Sequence, residues 1–339
     1  MLKIGNVTIS EPIAAAPLAG ITNPVYREMC RRFGAGLVVS EMISDKALHY
    51  KSRKTQEMCR TSADEHPVAL QLFGSDPVTM AEASEYLTKN TDCDIIDINM
   101  GCPVNKVIKA HAGSWLMRDE ELAADIVKAV KDHTDRPVTV KIRAGWDKEH
   151  INCARLAQKL EAAGADAIAV HGRTRSQMYE GKSDNNYIRM VREAVKIPVI
   201  GNGDIRSCED MKRMFDETGC DAVMIGRGLI GKPFFLQELT AYLHNEPYMP
   251  PSEDERISLA LEYSRKLTEY EGEMMAMRMM RGLGGWFITG MPDSAKVRNE
   301  LSYIRTFGDM EEILERYRKV LSERRKSLYD EKEVNEDEY

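Results

Sequence analysis

The sequence predicts a (β/α)8 barrel, the TIM-barrel form of the α/β class, followed by a smaller all-helical domain. Eight short apolar segments, most of them followed by a segment with helical spacing of apolar residues, succeed one another over about 240 residues. The apolar segments are nearly continuous, which indicates strands buried on both faces. A doubly wound open sheet is the runner-up, although it rarely contains eight such even repeats.

The predicted strands are short, and their ends are marked by residues that interrupt extended structure. Proline closes the first predicted strand, and Gly74 follows the third. The eight predicted strands are Ile13–Pro17, Gly36–Met42, Val68–Phe73, Ile95–Ile98, Pro137–Arg143, Ala167–His171, Pro198–Asn202 and Ala222–Gly226.

Helical segments follow most of these strands. Asn23 and Asp76 each precede a proline, the residue pair that commonly starts a helix, and the first of these helices runs through Phe33. The stretch from His49 to Arg60 is polar and predicts a loop. The remaining helical segments of the barrel are Glu121–Lys131, Ile151–Ala163, Tyr187–Val195 and Cys208–Phe215.

The pattern changes after a proline-rich stretch that ends at Pro251. Ser252–Glu255 has the form of a helix capping box, and the residues that follow have helical but no strand periodicity. Three helices are predicted, ending near Tyr270, over Met274–Ile288 and over Met310–Leu321. We therefore predict a catalytic barrel over residues 1–248, a helical domain over 249–328 and an acidic, disordered tail over 329–339.

Composition indicates an ordinary globular protein of the cytoplasm. The 339 residues have a net charge of −7, but the last ten contain six acidic residues against one lysine, so the rest of the chain is near neutral. The first residues lack the pattern of a signal peptide, and no apolar run reaches the length of a membrane span. Seven cysteines form no CxxC pair, which argues against disulfides and against a metal site.

One stretch draws attention as a centre of chemistry, namely Asp97 to Asn105. An apolar strand ends there in Asn99, Gly101 and the pair Cys102-Pro103, which places a thiol at the carboxyl end of a strand. Catalytic groups of barrels and parallel sheets collect at that end. The alternative is that Cys102 is a small buried hydrophobic residue, as most free cysteines are.

Polar residues recur at the carboxyl ends of the other predicted strands, where they would converge on one mouth. Lys141 lies within an otherwise apolar strand, and a buried ammonium needs a partner. That partner is either an anionic cofactor, which we favour, or a structural carboxylate. The polar strand-end residues are Gln71, Asn99, Cys102, Lys141, Arg143, His171, Arg173 and Asn202.

Two glycine-containing loops follow the seventh and eighth predicted strands, where barrels often bind phosphate on backbone N–H groups. They are Gly201-Asn202-Gly203-Asp204 and Gly226-Arg227-Gly228, and Arg227 adds a positive charge. The sequence contains no Rossmann fingerprint, no P-loop and no HExxH zinc motif.

These motifs, in this order, resemble the tRNA-dihydrouridine synthase family, most closely its bacterial B-type branch. The resemblance covers nearly the whole barrel. It rests on Ala16–Thr22, Gln71–Gly74, Asp97–Pro103, Val140–Arg143, His171–Thr174, Gly201–Asp204 and Ile225–Arg227.

The resemblance implies an FMN-containing barrel with a helical tRNA-binding domain, which reduces particular uridines of tRNA to 5,6-dihydrouridine with NADPH or NADH. It implies Cys102 as the proton donor. FMN would be held by Pro17, Leu18, Ala19, Gln71, Asn99, Lys141, His171, Asn202, Gly203, Asp204, Gly226 and Arg227.

The chemistry of the residues agrees with these roles. Hydride transfer to one carbon of the uracil double bond gives the adjacent carbon carbanion character, so a positioned acid must protonate it. Cys102 must therefore remain a thiol, and its surroundings should not lower its pKa. Lys141 would stabilise negative charge on the reduced flavin ring.

The substrate is expected to be tRNA, whose target base must leave its stack to reach a barrel mouth. We expect Arg143 and Arg173 in the barrel, and Arg281 and Arg298 in the helical domain, to contact it. The helical domain departs from the family pattern between Met279 and Gly285, where only Arg281 keeps a basic role. We expect a monomer.

Two other functions are compatible with parts of the sequence. A dihydroorotate-dehydrogenase-like FMN barrel or an ene-reductase acting on a small molecule would explain the barrel but not the helical domain. A non-catalytic tRNA-binding factor would leave Cys102, Lys141 and the two phosphate-type loops without a purpose.

Overall fold

Eight parallel strands close into a barrel in the computed structural model, which describes residues 1–336 and the side chains of residues 1–326. Each barrel strand pairs with the next along the chain, and the last pairs with the first, which confirms the predicted fold class. An antiparallel hairpin, β1 (Leu2–Ile4) and β2 (Val7–Ile9), precedes the barrel. The barrel strands are β3 (Ile13–Ala15), β4 (Leu37–Ser44), β5 (Val68–Phe73), β6 (Ile95–Met100), β7 (Val138–Arg143), β8 (Ala167–His171), β9 (Val199–Asn202) and β10 (Ala222–Ile225).

The hairpin, which the sequence analysis did not predict, closes the amino-terminal end of the barrel. Ile4 and Ile9 are buried in the same apolar cluster as the inward-facing residues of the strands. At the hairpin turn, the backbone of Gly5 lies so close to Pro137, just before β7, that a Cβ atom would come within 2.7 Å of the proline ring. Three-residue strands are too short to show a periodicity in sequence.

Helices surround the barrel, and their first residues carry the caps that the sequence indicates. Asn23 accepts a hydrogen bond from the backbone N–H of Tyr26, and Asp76 accepts one from Val78, each ahead of a proline. The helices are α1 (Pro24–Arg32), α2 (Asp45–His49), α3 (Arg53–Met58), α4 (Pro77–Asn90), α5 (Asn105–Lys109), α6 (Glu120–Lys131), α7 (Cys153–Ala162), α8 (Asn185–Ala194), α9 (Cys208–Thr218) and α10 (Phe235–His244).

The prediction of a loop from His49 to Arg60 was wrong. This stretch contains the end of α2 and the short helix α3, which begins after Ser52. The Ser52 hydroxyl accepts a hydrogen bond from the backbone N–H of Thr55 and so caps α3. Most of the side chains of α3 are polar, so no apolar periodicity reveals it in the sequence.

The interior of the barrel is filled by residues at every second position of each strand, as the alternation of side chains requires. Alanines predominate, and a few larger residues such as Ile95, Ile200 and Met224 fill the remaining space. This apolar packing occupies the amino-terminal part of the barrel. The same alternating positions, continued toward the carboxyl ends of the strands, carry polar side chains.

The second compact unit is helical and contains the chain from Tyr248 onward together with Leu229–Phe234. The predicted capping box at Ser252 is present, because its hydroxyl and the Glu255 carboxylate exchange hydrogen bonds with each other's backbone N–H. The unit contains α11 (Glu253–Glu271), α12 (Glu273–Phe287), α13 (Ser294–Leu301) and α14 (Phe307–Glu336). Helix α13 was not predicted.

The predicted acidic tail, residues 329–339, is described only in part, as backbone up to Glu336. Helix α14 has its last residue at Glu336, whereas the side chains after residue 326 and the whole of residues 337–339 are not described. Disorder of the tail therefore stays a prediction. Within residues 1–336, no helix is both long and apolar enough to cross a membrane.

Candidate active site

The polar residues at the strand ends converge on the carboxyl-terminal mouth of the barrel. Asn99 pairs with Lys141 across β6 and β7, and Arg143, His171 and Asn202 are neighbours across β7, β8 and β9. Because alternate residues share a face, these side chains continue the inward-facing rows of the apolar interior. The structure thus brings together the residues for which the sequence predicts one mouth.

Beneath the mouth, four side chains form a continuous set of hydrogen bonds. Asp97 accepts from Gln71 Nε2 at 2.6 Å and from the Thr139 hydroxyl at 2.5 Å. Asn99 Nδ2 donates to Gln71 Oε1 at 2.7 Å. All four residues are buried, and burial raises the pKa of Asp97 to about 6, which leaves it ionised at neutral pH.

Cys102 lies in the loop after β6, on a backbone that is held from several sides. Asn99 Oδ1 accepts from the Cys102 N–H at 2.9 Å, and both the N–H and the hydroxyl of Ser114 donate to the Cys102 carbonyl. Gly113, at φ +62°, approaches so closely that a Cβ atom would lie 2.9 Å from that carbonyl. Cys102 is partly exposed, whereas the other six cysteines are buried.

The Cys102 thiol stays protonated at neutral pH. Burial raises the pKa of Cys102 above its ordinary value and outweighs the lowering by the Val104 N–H and by the charges of Arg143 and Lys141. A thiol in this state can donate a proton, as the sequence-based hypothesis requires.

The Lys141 ammonium is only partly used within the protein. Among the described residues it donates one hydrogen bond, to Asn202 Oδ1 at 3.0 Å, while Asn202 Nδ2 donates to the Met224 carbonyl. An ammonium has three donors, so two remain for a ligand. Burial, aided by the charge of Arg143, lowers the pKa of Lys141 to about 8.

His171 is a neutral imidazole in this environment. Burial lowers its pKa well below the ordinary value, and the positive charges of Lys141, Arg143, Arg173 and Arg227 act in the same direction. A neutral ring can both donate and accept a hydrogen bond, but it does not add charge to the mouth.

Arg143 joins the loops that follow β6 and β8. Its Nε donates to the Gly101 carbonyl at 2.7 Å, and its Nη1 donates to the carbonyls of Thr174 and Met178. Burial lowers the pKa of Arg143 to about 10, so the guanidinium remains charged. Its Nη2 donates no hydrogen bond within the described structure, which leaves one edge of the guanidinium for a ligand.

Arg173, by contrast, uses all of its donors within the protein. It forms a two-pronged ion pair with Asp204, donates to the carbonyls of Glu180 and Gly181, and lies 3.4 Å from His171 Nε2. Asp204 also accepts from the Ser183 N–H. The ion pair therefore fixes the loops after β8 and β9, and a contact of Arg173 with substrate would have to replace one of these bonds.

The glycine-containing loops after β9 and β10 lie beside a cleft of about 1180 Å³ that Asp204 and Arg227 help to line. Gly203 is tightly packed, because a Cβ atom there would come within 2.8 Å of Ser183 Oγ. The Arg227 guanidinium is half-exposed, lies 3.8 Å from an Asp204 oxygen and 4.8 Å from the ring centre of Tyr179, and makes no hydrogen bond within the described residues. Its donors remain available to an anion.

The loop Pro17–Ala19, after β3, meets the β10 loop where the barrel closes. The Leu18 side chain lies within 3.7 Å of the Cβ position of Gly226. Thr22 exchanges hydrogen bonds with the backbone of Leu18, and Arg27 Nη1 donates to the Thr22 carbonyl at 2.8 Å. The conformation of this loop is thus set by α1 as well as by the strand.

The two arginines predicted in the helical unit have different surroundings there. Arg281 Nε donates to the Ile304 carbonyl at 2.7 Å. The side chain of Arg298 lies over Gly285, where a Cβ atom would come within 3.1 Å of it. Gly285, which belongs to the segment that departs from the family pattern, therefore makes room for Arg298. Substrate binding by both arginines stays a prediction.

Sequence reasoning gave no role to three residues of the site, namely Asp97, Thr139 and Tyr179. A signal existed for Asp97, because a carboxylate inside an apolar strand needs partners for the same reason as Lys141 does. Thr139 and Tyr179 carried no such signal. Tyr179 is half-exposed, and its ring lies near the guanidinium groups of both Arg143 and Arg227.

Comparison with known families gives one match over most of the chain. Residues 14–323 match the family model "Dihydrouridine synthase (Dus)". The chain is 39% identical over 325 residues to a protein of Rickettsia bellii named "Probable tRNA-dihydrouridine synthase", covering 95% of this chain and 99% of that protein. It is 40% identical over 317 residues to "tRNA-dihydrouridine synthase B" of Vibrio vulnificus, covering 93% and 98%.

Solved structures share the barrel at low sequence identity. One described as "Crystal structure of TcOYE with pHBA" aligns with a TM-score of 0.55 at 15% identity and covers 75% of this chain and 94% of its own. A variant of NCR from Zymomonas mobilis aligns with a TM-score of 0.53 at 17% identity over 75% and 92% of the two chains. At such identities the likeness shows the fold alone.

Proposed function

Because the chain belongs to the dihydrouridine synthase family, we propose that it is an FMN-dependent oxidoreductase that reduces the 5,6 double bond of specific uridines in tRNA with NADPH or NADH. One observation carries the proposal beyond family membership. A protonated, partly exposed thiol, Cys102, lies at the same barrel mouth as the incompletely bonded ammonium of Lys141. Proton donor and cofactor-binding cation thus share one mouth.

The unused donors at the mouth support FMN as the cofactor. Lys141 has two donors that no described residue uses, and it would suit the electron-rich edge of a flavin ring. Gln71 and Asn99, which bond each other beneath the mouth, would help to hold that ring. Arg227, which makes no hydrogen bond within the described residues, suits the phosphate together with the backbone of the loops at Gly203 and Gly226. Cations with unsatisfied donors at an otherwise bonded site fit an anionic ligand.

FMN, when bound and reduced, supplies the hydride that adds to one carbon of the uracil double bond. Cys102 Sγ delivers a proton to the adjacent carbon, and the resulting thiolate recovers a proton from solvent. The raised pKa of Cys102 keeps the proton on sulfur until the carbon becomes basic. His171 remains neutral and orients ligands by hydrogen bonding.

We propose different roles for the two barrel arginines. Arg143, with Nη2 unused, contacts an oxygen of the target base, and the half-exposed ring of Tyr179 lies beside it. Arg173 has no free donor and instead positions the loop that carries Asp204. Removal of the base from its stack brings it within reach of both Cys102 and Arg143.

A second feature of the barrel suits an RNA partner. The ring of Trp146 lies 4.9 Å from the guanidinium of Arg118 and 4.7 Å from that of Arg175. Arg175 also bonds Asn105, three residues after Cys102, so these charges flank the loop after β6 that carries Cys102. Guanidinium groups held in this way bind phosphate well. We also propose that Arg281 and Arg298 of the helical unit contact tRNA. We further propose that the activity is cytoplasmic and that the protein is a monomer.

The direct test of this function is reduction of tRNA by the purified protein. We expect a yellow protein that releases FMN on denaturation and that, with NADPH, converts uridine to dihydrouridine in tRNA from a strain lacking the enzyme. Mapping by nuclease digestion and mass spectrometry identifies the position. Release of FAD, or a flavin-containing protein that leaves every uridine unchanged, would contradict the proposal.

The pKa of Lys141 predicts a pH dependence of FMN binding. Lys141 is charged below about pH 8 in the free protein and loses its proton above that value. If FMN binds the charged form, affinity should fall above pH 8 by up to about tenfold per pH unit. Titration of the apoprotein with FMN between about pH 7 and 9.5 measures this dependence. Lys141→Met should bind FMN more weakly and with a flat profile; an equal slope in that variant would assign the effect elsewhere.

A further inference from the structure

The hydrogen bonds beneath the mouth form a hydrogen-bond chain that begins at the Asp97 carboxylate and ends at the backbone of the loop that carries Cys102. The chain has a direction, because in each bond the donor lies on the side of the loop and the acceptor on the side of Asp97. We propose that Asp97 is a positioning residue: it fixes the orientation of the Gln71 and Asn99 amides and, through them, the backbone that carries Cys102. The consequence for catalysis rests on the function proposed above, whereas the consequence for the loop does not.

One end of the chain fixes the direction because a carboxylate has no donor. Both oxygens of Asp97 accept, from Gln71 Nε2 and from the Thr139 hydroxyl. Gln71 must therefore turn its nitrogen toward Asp97, which leaves its oxygen facing Asn99. Asn99 then donates from Nδ2 to that oxygen, and its own oxygen faces the loop.

The backbone of the loop is satisfied when the amides have this same direction. The backbone N–H groups of Gly101 and Cys102 only donate, and Asn99 Oδ1 accepts from them at 3.2 Å and 2.9 Å. The nitrogen and oxygen of a side-chain amide are nearly equal in size, so packing alone would allow either orientation. The two ends agree, and each amide has only one arrangement that satisfies all its partners.

The hydrogen-bond chain is sealed from solvent. Gln71, Asp97 and Thr139 are direct neighbours on β5, β6 and β7. Gln71 is 0% exposed, Asp97 4% and Asn99 6%, so bulk water cannot take the place of a missing partner. The direction imposed at Asp97 is therefore transmitted to the loop.

Stability alone does not account for a carboxylate at this position. The described hydrogen bonds of Asp97 come from the neutral groups of Gln71 and Thr139. Lys141 on β7 is the nearby positive charge that acts on Asp97, but its ammonium bonds Asn202 instead. A buried carboxylate without a bonded cation is costly, and burial accordingly raises its pKa. An amide or apolar residue would be less costly but would not impose a direction.

Asp97→Asn tests this directional role. The amide introduced by this substitution can present either its oxygen or its nitrogen to Gln71. Residue 97 then no longer excludes the reversed direction of the hydrogen-bond chain. In the reversed direction, Asn99 presents its nitrogen to the N–H groups of Gly101 and Cys102, and the loop must move. A small displacement of Cys102 matters because proton transfer requires close approach to the substrate carbon.

Hydrogen exchange at the loop measures this effect without any activity. In Asp97→Asn we expect the amides of Gly101 and Cys102 to exchange about tenfold faster, as loss of one hydrogen bond implies. Single-turnover reduction of tRNA by the pre-reduced holoenzyme should fall about tenfold. Thr139→Val is the matched control, because it removes the other bond to Asp97 but leaves the direction, so exchange should stay within about twofold.

A double variant, Asp97→Asn combined with Asn99→Asp, reverses the chain while keeping its last acceptor. The amide at position 97 donates to the Gln71 oxygen, and the Gln71 nitrogen donates to the carboxylate at position 99. The other oxygen of that carboxylate accepts from the N–H groups of the loop. The double variant keeps one carboxylate near Lys141, now at position 99, which pairs with Lys141 across β6 and β7. The variant and the original protein therefore have the same net charge at this place. Slow exchange at Gly101 and Cys102 should return to within about threefold of the original protein.

Three results would overturn the proposal: unchanged exchange in Asp97→Asn, equal acceleration in Thr139→Val, or no recovery in the double variant. If Asp97→Asn fails to fold, Asn99→Asp alone replaces it as the reference. That variant places a carboxylate on both sides of Gln71, so the Gln71 oxygen must face one of the two carboxylates and is repelled by it. Adding Asp97→Asn must remove this repulsion and raise Tm. If the original protein reduces no tRNA, the proposed function fails while the exchange result still decides this inference.

Discussion

Replacing Cys102 with alanine is expected to lower the single-turnover rate of dihydrouridine formation by about 10²- to 10⁴-fold, the usual contribution of a general acid. The thiol is the partly exposed cysteine at the mouth, and burial keeps it protonated by raising its pKa. The measurement uses pre-reduced enzyme mixed with tRNA, so that the rate reports transfer to the base.

The same variant should leave the earlier steps intact, which separates the acid role from a general disturbance of the site. FMN content and flavin reduction by NADPH do not require a proton delivered to uracil, and both should be near normal. Cys93→Ala is a matched control, since that thiol is buried and lies just before β6, at the opposite end of the strand that leads to Cys102. A normal rate of dihydrouridine formation in Cys102→Ala would move the acid role to His171 or to bound water.

Glu65→Gln is expected to lower the free energy of unfolding by about 3–5 kcal/mol, the cost of leaving a buried charge without its partner. Arg27 and Glu65 form a two-pronged ion pair whose side chains are 2% and 0% exposed. Glutamine keeps the shape but leaves the Arg27 charge uncompensated. Urea unfolding monitored by circular dichroism measures the loss.

The loss should extend to the loop Pro17–Ala19, for which we propose FMN binding, because Arg27 also donates to the carbonyl of Thr22, which bonds Leu18. We therefore expect weaker FMN retention at temperatures below the unfolding transition. Glu57→Gln is the control: Glu57 pairs with Arg53, whose side chain is 92% exposed, and such pairs contribute little. Equal loss of stability in the two variants would show that Arg27 is not dependent on Glu65.

Local patterns in the sequence were sufficient for the barrel. Runs such as Ile95–Ile98, and caps such as Asn23-Pro24, depend on residues within a few positions of one another. The hairpin over Leu2–Ile9 and the helix Arg53–Met58 escaped prediction because one is too short and the other too polar to show a period. The helix Ser294–Leu301 was missed because it is short and mostly polar.

The membership of the site was also accessible from sequence, because carboxyl ends of parallel strands must meet at one mouth. Gln71, Asn99, Lys141, His171 and Asn202 could be assigned to it before any register was known. The neighbouring motifs were specific enough to indicate the family, which the matched relatives then confirmed.

What each of these side chains does was decided only by the tertiary structure. Arg143 and Arg173 look alike in sequence, yet one keeps a free guanidinium edge while the other is saturated by Asp204 and two carbonyls. Asp97 bonds Gln71 and Thr139 at separations of 26 and 42 residues. Hydrogen bonds at such distances depend on strand register and burial, which no local pattern specifies. The sequence by itself therefore determined the barrel and the contents of its mouth, and the packing of distant strands decided which donors remain for a ligand.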